Sequence, residues 1–119
     1  MDIIKIYIYF SNNHGPNMEI RYDENEVSDE FLPIDLALPK VNEKFTVYLC
    51  CIDYHLDNFI KIMDTRSYNH YDDAYRFLNS LDNDYITMNY HDDENEGEIF
   101  SVIIDNVDKN IVYYRAIYV

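Results

Sequence analysis

The sequence predicts an α+β domain, a mainly antiparallel sheet of about five to seven strands with one principal helix at about residues 70–81. Three observations predict it. Short runs of alternating apolar residues recur along the chain, a single segment carries apolar residues at helical spacing, and clusters of Asn, Asp and Pro punctuate the runs. The 119 residues match the size of one domain, so a single unit over residues 1–119 with one core is expected.

The elements follow in order. Residues 3 to 10 place Ile4, Ile6, Ile8 and Phe10 on one face and Ile3, Lys5, Tyr7 and Tyr9 on the other, which is strand alternation. Asn12-Asn13-His14-Gly15-Pro16 is a turn, and Met18 to Tyr22 returns as the second arm of a hairpin. From Asp23 to Lys40 the alternation fades, and Pro33 and Pro39 exclude a regular central strand or a long helix, so this stretch reads as a connection covering the core with Phe31, Leu32, Leu36 and Leu38. Lys44 to Asp53 is the most apolar run and reads as a central strand, with Asn58 to Asp64 as its partner. The helix over 70–81 gathers Tyr71, Ala74, Tyr75, Leu78 and Leu81 on one face, with Asn69 as N-cap and Asp72 and Asp73 in the first turn, where the helix dipole favours anions. Tyr85 to Tyr90, Glu98 to Asp105 and Asn110 to Val119 read as strands, the last two joined by the turn Asn106-Val107-Asp108-Lys109. With only 2 Gly, the turns are expected to lean on Asn and Asp.

Composition narrows function. Hydrophobic residues make up 48% of the chain, enough apolar area to offset chain entropy and exclude disorder throughout. No window offers the roughly eighteen consecutive apolar residues of a membrane helix, and the first strand lacks the flanks of a signal peptide, so a cytoplasmic protein is expected. Cys50 and Cys51 are adjacent on a strand and point to opposite faces, which predicts two buried thiols and no mutual disulfide.

The 23 acids against 9 bases give a formal charge of −14, a field that opposes direct binding to nucleic acid or to an anionic membrane. The 15 Ile, 13 Asn and 13 Tyr suggest an AT-rich genome, which would also raise Lys, yet there are only 5 Lys; acidity thus reads as selected. A basic protein is the partner this charge fits, with monomer and homodimer both open. Three acidic clusters stand out: Asp23, Glu24, Glu26, Asp29 and Glu30; Asp72 and Asp73, with Asp82 and Asp84 beyond the helix; and Asp92, Asp93, Glu94, Glu96 and Glu98. In extended backbone, Asp92, Glu94, Glu96 and Glu98 would line one side at roughly 6.5 to 7 Å, a spacing set by the strand rise that imitates the repeat of a phosphate backbone. A solvated hairpin loop is the ordinary alternative. Tyrosines near these acids, Tyr90 among them, could anchor a charged contact, although most of the tyrosines on strands simply fill cores.

Chemistry finds little support. An EF-hand loop starting at Asp92 would have Gly97 at its sixth position but Ile103 where the bidentate Glu belongs, so no metal is expected. His14, His55, His70 and His91 are scattered, without metal-ligand spacing, and there is no nucleophile elbow, phosphate loop or dinucleotide fingerprint. No cofactor and no catalytic residue is expected.

No stretch matches a family motif. As a class, the chain resembles small acidic proteins of phages and mobile elements that look like nucleic acid to host defence enzymes; size, acidity and base composition carry that resemblance. It implies an inhibitor of the anti-CRISPR or anti-restriction type. An immunity protein or antitoxin that plugs a basic nuclease toxin fits the same charge, and a small enzyme or ligand-binding module is the third reading.

Overall fold

A computed structural model describes residues 2–11, 17–53, 59–89 and 98–118. Among them are seven strands, a 3-10 turn and two helices: β1 (Ile3–Ser11), β2 (Asn17–Arg21), the turn Glu24–Glu26, β3 (Leu32–Ala37), β4 (Phe45–Asp53), β5 (Phe59–Tyr68), α1 (Tyr71–Ser80), α2 (Asn83–Asn89), β6 (Ile99–Asp105) and β7 (Asn110–Tyr118). The α+β class stands, but the strands do not form one sheet. They divide into a three-stranded sheet, order β2-β1-β3, and a four-stranded sheet, order β5-β4-β6-β7. All pairings are antiparallel.

The division follows from burial on two faces. One core lies between the sheets, where Ile4, Ile6, Ile8, Ile20, Ile34 and Leu36 meet Tyr48, Cys50, Ile52, Phe100, Val102 and Ile104. A second lies on the opposite face of the four-stranded sheet, where Phe45, Val47, Leu49, Cys51, Ile99 and Ile103 meet Ala74, Leu78 and Leu81. Alternate residues of β4 and β6 therefore enter different cores, which is why both strands read as unbroken apolar runs. Every residue of β6 is buried. Cys50 and Cys51 are buried thiols, one in each core.

Two segments differ from expectation. Residues 23–40 include β3, paired with β1 from Ile3↔Ala37 to Ile8↔Leu32. Pro33 is compatible with that strand because β3 is an edge, where a missing N–H deprives no neighbour. Residues 85–90 were expected as a strand, and Tyr85 to Asn89 instead belong to α2. Asp82 starts that helix: its Oδ1 accepts the Tyr85 N–H at 2.9 Å and its carbonyl accepts the Ile86 N–H at 3.0 Å, an N-cap arrangement.

The principal helix spans Tyr71–Ser80 and its N-cap is His70, not Asn69, with no side-chain capping bond. Its carboxyl end is held from β7. Arg115 donates to Oδ1 of Asn79 and to the Leu81 carbonyl, placing a cation at the negative end of the helix dipole. The β6–β7 hairpin forms as expected: Asp105 Oδ1 accepts the N–H groups of Val107 and Asp108 at 2.9 and 3.0 Å. The left-handed residue in that turn is Lys109, at φ 57°, not an Asn or Asp.

Candidate functional site

The acidic segment 23–30 begins opposite Tyr7, where β2 ends, and leads into β3 opposite Ile8 on the far side of β1. It must therefore cross β1. Phe31 shows which face it crosses: its ring lies 5.5 Å from Tyr9 and 5.9 Å from the Arg21 guanidinium, both on the face turned away from the interior. The crossing explains why Tyr7, on that same outer face, is 9% exposed.

The crossing is held by its own backbone. Asp23 caps the 3-10 turn through Oδ1, which accepts the Asn25 N–H at 3.0 Å, while Glu26 N–H donates to the Asp23 carbonyl and Phe31 N–H to that of Ser28. Asp23, Glu24, Glu26, Asp29 and Glu30 are all exposed. Among the described residues none of the five forms an ion pair; those present are Arg21–Glu19, Arg66–Asp64, Arg76–Asp73 and Lys109–Asp2. The sheet beneath is balanced by contrast, with Lys5 opposite Asp35 and Arg21 bonded to Glu19 at 3.0 Å.

Asp72 and Asp73 lie elsewhere. They occupy the first turn of α1, which packs on the other face of the four-stranded sheet. Two sheets, each layer roughly 10 Å from the next, separate them from the 23–30 crossing. The structure thus does not bring these two clusters into one flat surface. Tyr90, Asp92, Asp93, Glu94 and Glu96 lie outside the described residues. Glu98, the last of the alternating acids, is half-buried immediately before β6, with its Oε2 shielded from solvent.

The helix layer adds an aromatic array whose members the sequence sets on two strands and on one helix face. Phe45 meets Tyr71 edge-on at 5.7 Å, Tyr71 stacks on Tyr75 at 5.9 Å, and Tyr75 meets Tyr113 of β7 at 5.1 Å. The array climbs from a buried ring to Tyr75, 40% exposed beside the acids of α1. Burial raises the Tyr71 hydroxyl above its usual range, with Tyr75 and Asp72 adding to it. Burial also raises that of Tyr113, which shares a hydrogen bond with Tyr75. Tyr71 and Tyr75 are four residues apart, the spacing that stacks side chains on a helix, so this part of the array was legible. Tyr113 joins only through the tertiary fold.

No protein-family model, curated protein or solved structure matches the chain. Among the described residues no helix is long and apolar enough to cross a membrane, and no group of three or more His, Cys, Asp or Glu could hold a metal ion.

Proposed function

We propose that this chain is a binding protein, not an enzyme: an acidic inhibitor, encoded by a phage or mobile element, that occupies the basic nucleic-acid-binding surface of a host defence enzyme. The 23–30 crossing carries this reading. Five exposed carboxylates, without ion-pair partners among the described residues, are held on an ordered support, next to a sheet face where Arg21 bonds Glu19 and Lys5 stands opposite Asp35. Clustered carboxylates repel one another, and a cationic groove supplies the counter-charge that the described residues do not. Long-range attraction of this kind speeds encounter and weakens with salt.

The test uses basic proteins retained on heparin from a bacterial lysate, offered to the immobilised chain with and without competing DNA or RNA oligonucleotides. A bound protein should be released by oligonucleotide and should bind at least about tenfold more weakly to a variant carrying Asp23→Asn, Glu24→Gln, Glu26→Gln, Asp29→Asn and Glu30→Gln. Neutralising Asp92, Glu94, Glu96 and Glu98 in a second variant reports on the other acidic run. Nucleic acid and the chain bound together on one target, or unchanged binding by both variants, would overturn the reading.

A further inference from the structure

Building on the reading of this chain as a binder of a basic surface, we propose that Tyr71, Tyr75 and Tyr113, with Asp72 beside them, form the seat for an arginine side chain of the partner. The two flanks of α1 carry the comparison. Over β5, the Phe77 ring holds the Arg66 guanidinium at 4.3 Å, Tyr68 packs on Phe77 at 6.1 Å, and Asp64 lies 4.0 Å from Arg66. Over β7, Tyr75 stands between Tyr71 and Tyr113, and Asp72 acts on Tyr71 through its charge. Ring and carboxylate recur on both flanks. Among the described residues of these two flanks, a guanidinium lies over a ring on the β5 flank alone.

The chain's other described cation contacts follow the same rule. Arg21 covers Phe31 at 5.9 Å and Lys44 covers Phe45 at 5.3 Å. Among the described residues no cation lies over Tyr75, the most exposed ring of its array. Arg76, next to Tyr75 in sequence, is 3.8 Å from Asp73, and Arg115, whose charge reaches Tyr113, is bonded to Asn79 and the Leu81 carbonyl. The array is also ordered in advance, since Tyr71 is wedged on Phe45 and Tyr113 is hydrogen-bonded to Tyr75. An incoming side chain would meet rings that lose no further rotamer freedom. A planar guanidinium stacks on such a face better than an ammonium, so arginine is the residue favoured over lysine.

Nona-arginine and nona-lysine peptides, matched in charge, test this with the full chain. Nona-arginine should bind more tightly than nona-lysine, and its δ-methylene protons should move upfield on binding, as protons over an aromatic face do. Tyr75→Ala should weaken nona-arginine by about three- to tenfold and remove most of the preference, whereas Tyr75→Phe, which keeps the ring, should retain it. Circular dichroism checks that both variants fold. Equal affinity for the two peptides, or an unchanged nona-arginine affinity in Tyr75→Ala, would sink the arginine seat. If the five-residue neutralised variant alone loses nona-arginine, the seat fails while the acidic-binder reading stands. If oligonucleotides release no bound protein, that reading fails whatever Tyr75 does.

Discussion

At the scale of single residues, the polar side chains that fix this fold act on backbone. Asp105 holds the β6–β7 turn, Asp82 starts α2, Asp23 starts the 3-10 turn, and Tyr48 donates from between the sheets to the Ala37 carbonyl at 3.0 Å. Lys109 is the exception, a β-carbon-bearing residue in the left-handed region. Its ammonium meets Asp2 at 2.8 Å and holds that carboxyl below its usual value, yet both side chains are more than half exposed and solvent screens the pair. Lys109→Gly should therefore stabilise the chain by about 0.5 kcal/mol, as relief of left-handed strain exceeds the entropy cost of glycine. Urea unfolding measures it, and a loss of stability would show that the ion pair outweighs the strain. A second prediction concerns alkaline pH. Burial, with Cys50 beside it, raises Tyr48 to about 12, and burial with the neighbouring Cys51 pushes the Cys50 thiol well above its usual value. Both folded values exceed the unfolded ones, so stability is intact below about pH 8.5 and falls as rising pH ionises first the cysteine and then the tyrosine of the unfolded chain. Urea midpoints across that range and native tyrosinate absorbance check it. A Tyr48 that ionises in the folded protein near pH 10 would contradict it.

At the scale of elements, the strands with cores on both faces were the most legible, and the exceptions share a cause. Lys44 to Asp53 and Glu98 to Asp105 announce themselves because sheet and helix each take alternate residues of β4 and β6. β3 was hidden by Pro33, which rules out a central strand but not an edge. The segment after α1 misled because Tyr85, Thr87 and Asn89 alternate with Ile86 and Met88, as a strand would, whereas the cap that decides for helix sits three residues ahead at Asp82. Edges also bear on self-association. β5 and β7 border the four-stranded sheet, and each departs from regular pairing: Met63 is skipped in β5, Val112 and Ile117 in β7. The Ile111 N–H at the start of β7 is already bonded to the Tyr22 hydroxyl. Bulges twist an edge away from a flat partner, so pairing of β5 or β7 with a second copy is disfavoured. The chain should sediment as a monomer from micromolar to near-millimolar concentration, and a dimer that disappears on mutating β7 would refute this account of its edges.

At the scale of the whole molecule, sequence revealed how much negative charge there is, but not on which layer it sits. The 23–30 run is contiguous, so its clustering was readable. Its separation from Asp72 and Asp73 was not, because it depends on α1 and the three-stranded sheet choosing opposite faces of β5-β4-β6-β7. That distribution gives folding and binding opposite responses to salt. With a net charge of −14, folding gathers acids that the unfolded chain keeps apart, and their repulsion opposes the compact state. Raising NaCl from about 0.1 M to about 1 M shortens the Debye length from about 10 Å to about 3 Å, screening carboxylates from one another across the surface. The urea midpoint should rise over that range, and most of the rise should vanish in the variant neutralised at Asp23, Glu24, Glu26, Asp29 and Glu30 if that crossing is the main source of strain. Binding to nona-arginine should weaken by at least about tenfold over the same range, since the same screening removes the attraction between unlike charges. Stability that is flat in salt would mean the acids stand too far apart to repel. Peptide affinity that is flat in salt would mean the rings of α1, and not the carboxylates, dominate the contact.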